Sequence, residues 1–126
     1  MKEITQLAAE LGRRLQVLNA HVTTAESCTG GGIAEAITRI PGSSAWFDRG
    51  FVTYSNDAKI ESLGVSAELI DTFGAVSPAV AWAMARGARR VSGETGRRAG
   101  HHSTSRVTTG HLPARRRLGR VSAETD

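Results

Sequence analysis

"TTAESCTGGGIAEAITRI", residues 23–40, decides the fold. A β-prone start, three consecutive glycines and a helical run follow one another without a break. "HVTTA" (21–25) predicts a short strand from its β-branched residues. "GGIAEAITRI" predicts a helix that starts in the glycines and ends before Pro41, because the residue before proline is biased away from helix. A strand that feeds a helix through a glycine turn is the first unit of an α/β layered domain. The stretch also sets a question, since Glu26, Ser27, Cys28 and Thr29 stand directly before a segment almost without side chains. Backbone N–H groups at such a turn can receive an anion, and glycine lets a ligand come close. The hydroxyls can add hydrogen bonds to a phosphate or a carboxamide. A ligand-free turn with polar capping explains the pattern about equally well. The nucleotide-loop patterns G-x-G-x-x-G and G-x-x-x-x-G-K are not met.

Outward from this unit the alternation continues. Upstream, Ile4, Leu7, Ala8, Leu11, Leu15 and Leu18 recur at helical spacing and predict one apolar stripe, with Asn19 as the stop. Downstream, "PGSSAWFDRG" (41–50) reads as a loop, and "GFVTYS" (50–55) as the strongest strand in the chain. Asn56 is the expected cap of a helix carrying Ile60 and Leu63 and closed by Gly64. "SAELIDTFG" repeats the scheme, from Ser66 to Gly74. Ser77 and Pro78 form a strong helix start. It precedes a small-residue face of Val80, Ala81, Met84, Ala85, Ala88 and Val91.

The chain has 126 residues, 40% of them apolar, and a net charge of +4. Residues 1–93 carry nine basic and nine acidic side chains, so the whole excess lies in residues 94–126. That segment has no Ile, Phe, Trp, Tyr or Met, and its seven arginines and three histidines make a poor core. It is expected to be a basic, disordered tail. Its run Arg115–Arg117 has no aromatic residue beside it to stack on bases, so no specific nucleic-acid partner is expected. His101, His102 and His111 sit among arginines, and neither a metal site nor a cofactor is expected. No run of about 18 apolar residues occurs, so no membrane span is expected. The first 20 residues carry Glu3 and Glu10 and do not read as a secretory signal. One cysteine, Cys28, rules out an internal disulfide framework; a cytoplasmic protein is expected.

A second constellation lies in residues 41–59, where Ser43, Ser44, Tyr54 and Lys59 fall within 17 residues. A serine needs a base to become a nucleophile at neutral pH. A Lys or Tyr with a lowered pKa can serve. Loop serines, a sheet tyrosine and a solvated helix lysine explain the same residues without chemistry. Cys28 reads as a small residue at a strand end.

Four blocks in this order resemble one family. They are "TTAESCTGG" (23–31), "PGSSAWFDRGFVTYSNDAK" (41–59), "LGV" (63–65) and "GAVS" (74–77). They resemble the C-terminal domain of the competence-damage-inducible protein CinA and its stand-alone form, the nicotinamide-nucleotide amidases. The resemblance covers about residues 1–93. It implies an α/β fold and hydrolysis of the carboxamide of nicotinamide mononucleotide, giving nicotinate mononucleotide and ammonia. It implies a serine amidase with a Lys/Tyr partner in place of histidine. On that reading Ser44 is the nucleophile, Tyr54 and Lys59 activate it, and Ser27 is the alternative nucleophile. Glu26, Ser27, Thr29, Gly30, Gly31 and Ser77 form the substrate-binding set. A homo-oligomer is implied. The family continues past residue 93 with a buried strand and a glycine loop, which residues 94–126 do not match in this frame. Back-translated and shifted by one base, "RRAGHHSTSR" (97–106) permits "GELAITALPG", so the tail reads as a coding sequence out of frame. The rival reading is a non-catalytic remnant that keeps the glycine loop as a nucleotide-binding module.

Overall fold

Three parallel strands, with helices on both faces, form the centre of the molecule. The structure is a computed structural model that describes residues 2–98, 104–109 and 123–124. Along the chain run α1 (Lys2–Val17), β1 (Ala20–Glu26), α2 (Gly32–Thr38), a 3-10 turn (Ser43–Ala45) and β2 (Phe47–Val52). Then come α3 (Asn56–Leu63), α4 (Ala67–Phe73), α5 (Pro78–Arg98), β3 (Thr104–Thr109) and β4 (Ala123–Glu124). The sheet order is β2-β1-β3-β4, with β1 parallel to both neighbours and β4 antiparallel to β3. The α/β layered class expected from the sequence is the class observed.

Alternation along β1 sorts its side chains between two cores. Ala20 and Val22 join Leu15 of α1, Ile37 of α2 and Trp46 on one face. Ala25 joins Leu63, Val65, Ile70, Val80, Met84, Ala85 and Ala88 on the other, with Phe51 of β2 packed against them. The small-residue face predicted for α5 is therefore the buried face. It has to be small. A Cβ on Gly87 would lie 1.9 Å from the Leu63 carbonyl oxygen, so α5 crosses the end of α3 with backbone nearly in contact.

Several boundaries differ from the sequence reading. Leu7 and Leu18 are 65% and 62% exposed, so the buried stripe of α1 is narrower than the leucine spacing implied. Gly12 belongs to it instead, because the Trp46 indole lies where a Cβ would be, 2.5 Å away. Asn19 ends the helix with φ 52°, as its residue type allows. β2 begins at Phe47, inside the stretch read as loop. Arg49, Gly50, Phe51 and Val52 pair with Thr23 to Glu26. Glycine and charge hid this strand. Gly50 is required there, since a Cβ would lie 2.7 Å from Thr24 Oγ1 and 3.4 Å from Ala34 Cβ, where α2 crosses. Ser55, not Asn56, caps α3: its Oγ accepts the Ala58 N–H at 3.0 Å. Ser66 and Ser77 cap α4 and α5 as expected, at 3.2 and 3.3 Å.

Helix α5 passes through the composition break at residue 93 and ends at Arg98. Of the segment expected to be a disordered tail, residues 104–109 pair with Ala20 to Ala25 of β1. His101, His102, His111 and Arg115–Arg117 lie outside the described residues.

Candidate active site

In a sheet ordered 2-1-3, the crossover helix after β1 covers one face and the helices after β2 cover the other. Open sheets of this kind bind ligands beyond the carboxyl ends of the strands, where the connections diverge. Here that edge is built by the residues following β1 and β2: Ser27, Cys28 and Thr29, then Thr53, Tyr54 and Ser55.

The glycine stretch resolves first. Gly30 and Gly31 have φ of 59° and 100°, a region that favours glycine. Little lies within 4 Å of a Cβ built on either, so backbone conformation and not space selects them. The turn they make brings the start of α2 back over Glu26. The Glu26 carboxylate is fully buried and accepts the Ile33 and Ala34 N–H groups at 2.9 and 3.0 Å, and the Thr29 hydroxyl at 2.6 Å. The Gly30 and Gly32 N–H groups close the turn on Ser27 O and Thr29 O at 2.9 and 3.0 Å. The chain thus supplies an anion of its own to the start of α2, and Glu26 and Thr29, both of the expected substrate-binding set, are hydrogen-bonded to each other within that contact. A buried acid upstream of a Gly-rich helix start was the available signal.

Lys59 is the second buried charge, with a side chain 1% exposed. Its ammonium donates to the Tyr54 carbonyl at 2.8 Å and to the Ser55 carbonyl at 3.4 Å. Burial holds the amine below the ordinary lysine value, and the neighbouring Cys28 thiol partly opposes the shift. An amine so placed can act as a base closer to neutral pH. The Tyr54 ring is 70% exposed, so this residue meets Lys59 through its backbone and not its phenol.

Ser27 follows β1 at the edge of the sheet where Tyr54 and Ser55, whose carbonyls hold the amine, follow β2. Ala25 and Phe51 are register partners on the α3/α5 face. Ser27 and Thr53 are the first residues past the ends of β1 and β2. Thr53 N–H donates to Glu26 O at 2.9 Å, so the ladder continues to this point. Ser27 is 5% exposed. Ser44 stands elsewhere. It lies in the 3-10 turn before β2, at the amino end of the strand, whereas Tyr54 and Lys59 follow the carboxyl end. Six strand residues at roughly 3.3 Å each separate the two ends by about 20 Å. Within one chain, Tyr54 and Lys59 meet, and β2 lies between them and Ser44. Ser77, expected in the substrate-binding set, stands at the start of α5. Its hydroxyl donates to Gly74 O at 2.8 Å and accepts from Val80 N–H, as a cap.

Comparison with known proteins agrees with this architecture. The family model for the CinA C-terminal domain matches residues 4–96. The nicotinamide-nucleotide amidohydrolase PncC of Pseudomonas putida is 62% identical over 93 residues, covering 74% of this chain and 58% of that protein. The protein of the same name from Escherichia coli K12 is 53% identical over 90 residues, covering 71% of this chain and 54% of that protein. The chain thus spans a little over half the length of these relatives. The crystal structure of competence/damage inducible protein CihA from Agrobacterium tumefaciens superposes with a TM-score of 0.72 at 48% identity, covering 85% of this chain and 60% of that one. The strand–glycine–helix unit, the sheet built around it and these matches together make the chain a member of the CinA C-terminal domain family.

Proposed function

We propose that the chain is a nicotinamide-nucleotide amidase that hydrolyses the carboxamide of nicotinamide mononucleotide to the carboxylate, with release of ammonia. The observation that carries this reading is the buried Lys59 amine, held by the Tyr54 carbonyl at the sheet edge where Ser27 follows β1. The sequence and names of the relatives supply the substrate class. In this scheme Ser27 Oγ attacks the carboxamide carbon while Lys59 takes the hydroxyl proton. The tetrahedral intermediate then collapses, Lys59 returns the proton to nitrogen, and ammonia leaves. Water, deprotonated by the same amine, cleaves the ester and restores Ser27. Tyr54 serves through its carbonyl, which holds the amine in place. Glu26 and Thr29 hold the turn that presents Ser27, and Gly30 and Gly31 shape it.

Ser44 enters a second reading through a second copy. Among the described residues β2 is an edge strand. Antiparallel pairing of two such edges would set Ser44 of one copy toward the Tyr54 end of the other. A homo-oligomer, expected from the family resemblance, would supply this arrangement. Residues 1–93 form the family portion on this proposal, and residues 94–126 a non-family segment read out of frame. A cytoplasmic location fits the substrate, and among the described residues no helix is long and apolar enough to cross a membrane. The non-catalytic alternative rests on the length of chain shared with the relatives. Ammonia release from nicotinamide mononucleotide separates the two: release supports the amidase, and binding of the nucleotide without release supports the remnant.

A further inference from the structure

Thr53 is 3% exposed, and its Oγ1 has no hydrogen-bond partner among the described residues. A buried hydroxyl without a partner costs free energy, and native folds leave few of them. An apolar residue of similar shape would serve this buried position better, since valine matches threonine closely in shape and leaves no hydroxyl unpaired. Its place is defined. The Thr53 N–H is bound to Glu26 O, the next residue's carbonyl holds the Lys59 amine, and Thr53 follows β2 where Ser27 follows β1. We infer that the Thr53 hydroxyl is a substrate contact, which hydrogen-bonds the carboxamide when it sits between Ser27 and Lys59. A hydroxyl both donates and accepts, so it can meet either end of an amide. A site built around such a group also discriminates against ligands that lack the matching atom. The inference rests on the amidase reading.

The test compares Thr53→Val and Thr53→Ser in the full chain with nicotinamide mononucleotide as substrate. Thr53→Val should lower kcat/KM about tenfold, the effect of one lost hydrogen bond, while its Tm equals or exceeds that of the parent. Thr53→Ser should restore most of the turnover. Unchanged kcat/KM in Thr53→Val would overturn the inference. So would a fall in Tm that Thr53→Ser does not repair, because that pattern belongs to a structural hydroxyl. If the parent chain releases no ammonia at all, the amidase reading fails first and takes this inference with it.

Discussion

Lys59 is one of two lysines in the sequence, the other being Lys2 near the amino terminus. Its amine loses solvation on folding, so its native pKa lies below the unfolded value. Between those two values the unfolded chain binds more protons than the native one, and stability rises with pH. The penalty is therefore present at neutral pH and fades as the pH approaches 10.5. Lys59→Met should remove this alkaline gain, which urea melts at a series of pH values would read. The same substitution should lower ammonia release by 100-fold or more, the usual scale for a lost general base. In the parent chain, turnover should rise with pH and level off below the ordinary lysine range. With two lysines to distinguish, an NMR titration of labelled lysine can assign the pKa. A value for Lys59 equal to that of Lys2 would contradict the burial argument. The sequence made Lys59 a candidate, but only the fold shows it buried. Glu26 shows the limit from the other side: its hydrogen bonds to the first N–H groups of α2 depend on the turn that brings the helix back over it.

Elements were legible where caps and periodicity agreed. Ser66, Ser77, Pro78, Gly64 and Gly74 mark their helix ends, and the α5 face from Val80 to Ala88 is the core. β2 was misplaced because Asp48, Arg49 and Gly50 break the apolar pattern, while pairing with β1 and the close approach of α2 decide the strand. Gly87→Ala forces a Cβ onto the Leu63 carbonyl, and overpacking at a backbone contact should cost about 3 kcal/mol or more. A melt within about 1 kcal/mol of the parent would mean that α3 and α5 are not so close. Glu26→Gln keeps the shape of the side chain but replaces one acceptor oxygen with a donor facing an N–H of α2. It should destabilise by about 1–3 kcal/mol, and Thr29→Ala by less. If Glu26→Gln melts as the parent does but loses nucleotide binding, Glu26 is a ligand contact and the cap assignment is wrong.

At the scale of the molecule, the fold class was readable from the order of elements, and the site was only half readable. Ser27 and Lys59 are 32 positions apart in the chain. The sheet order, which no local pattern encodes, sets the ends of β1 and β2 that precede them side by side. Ser44 and Lys59 are much closer in sequence, and the strand between them carries them apart. β1, paired on both sides and enclosed by both cores, should hold the slowest-exchanging amides. Faster exchange in residues 20–26 than in α4 would contradict the layering. The central claim is that Ser27 and Lys59 form the reacting pair within one chain. The most direct measurement is ammonia release from nicotinamide mononucleotide by the Ser27→Ala and Ser44→Ala chains, with nucleotide affinity measured beside it. Ser27→Ala should abolish release while still binding the nucleotide, and Ser44→Ala should keep turnover within a few-fold of the parent. Near-normal release by Ser27→Ala together with loss in Ser44→Ala would contradict that claim.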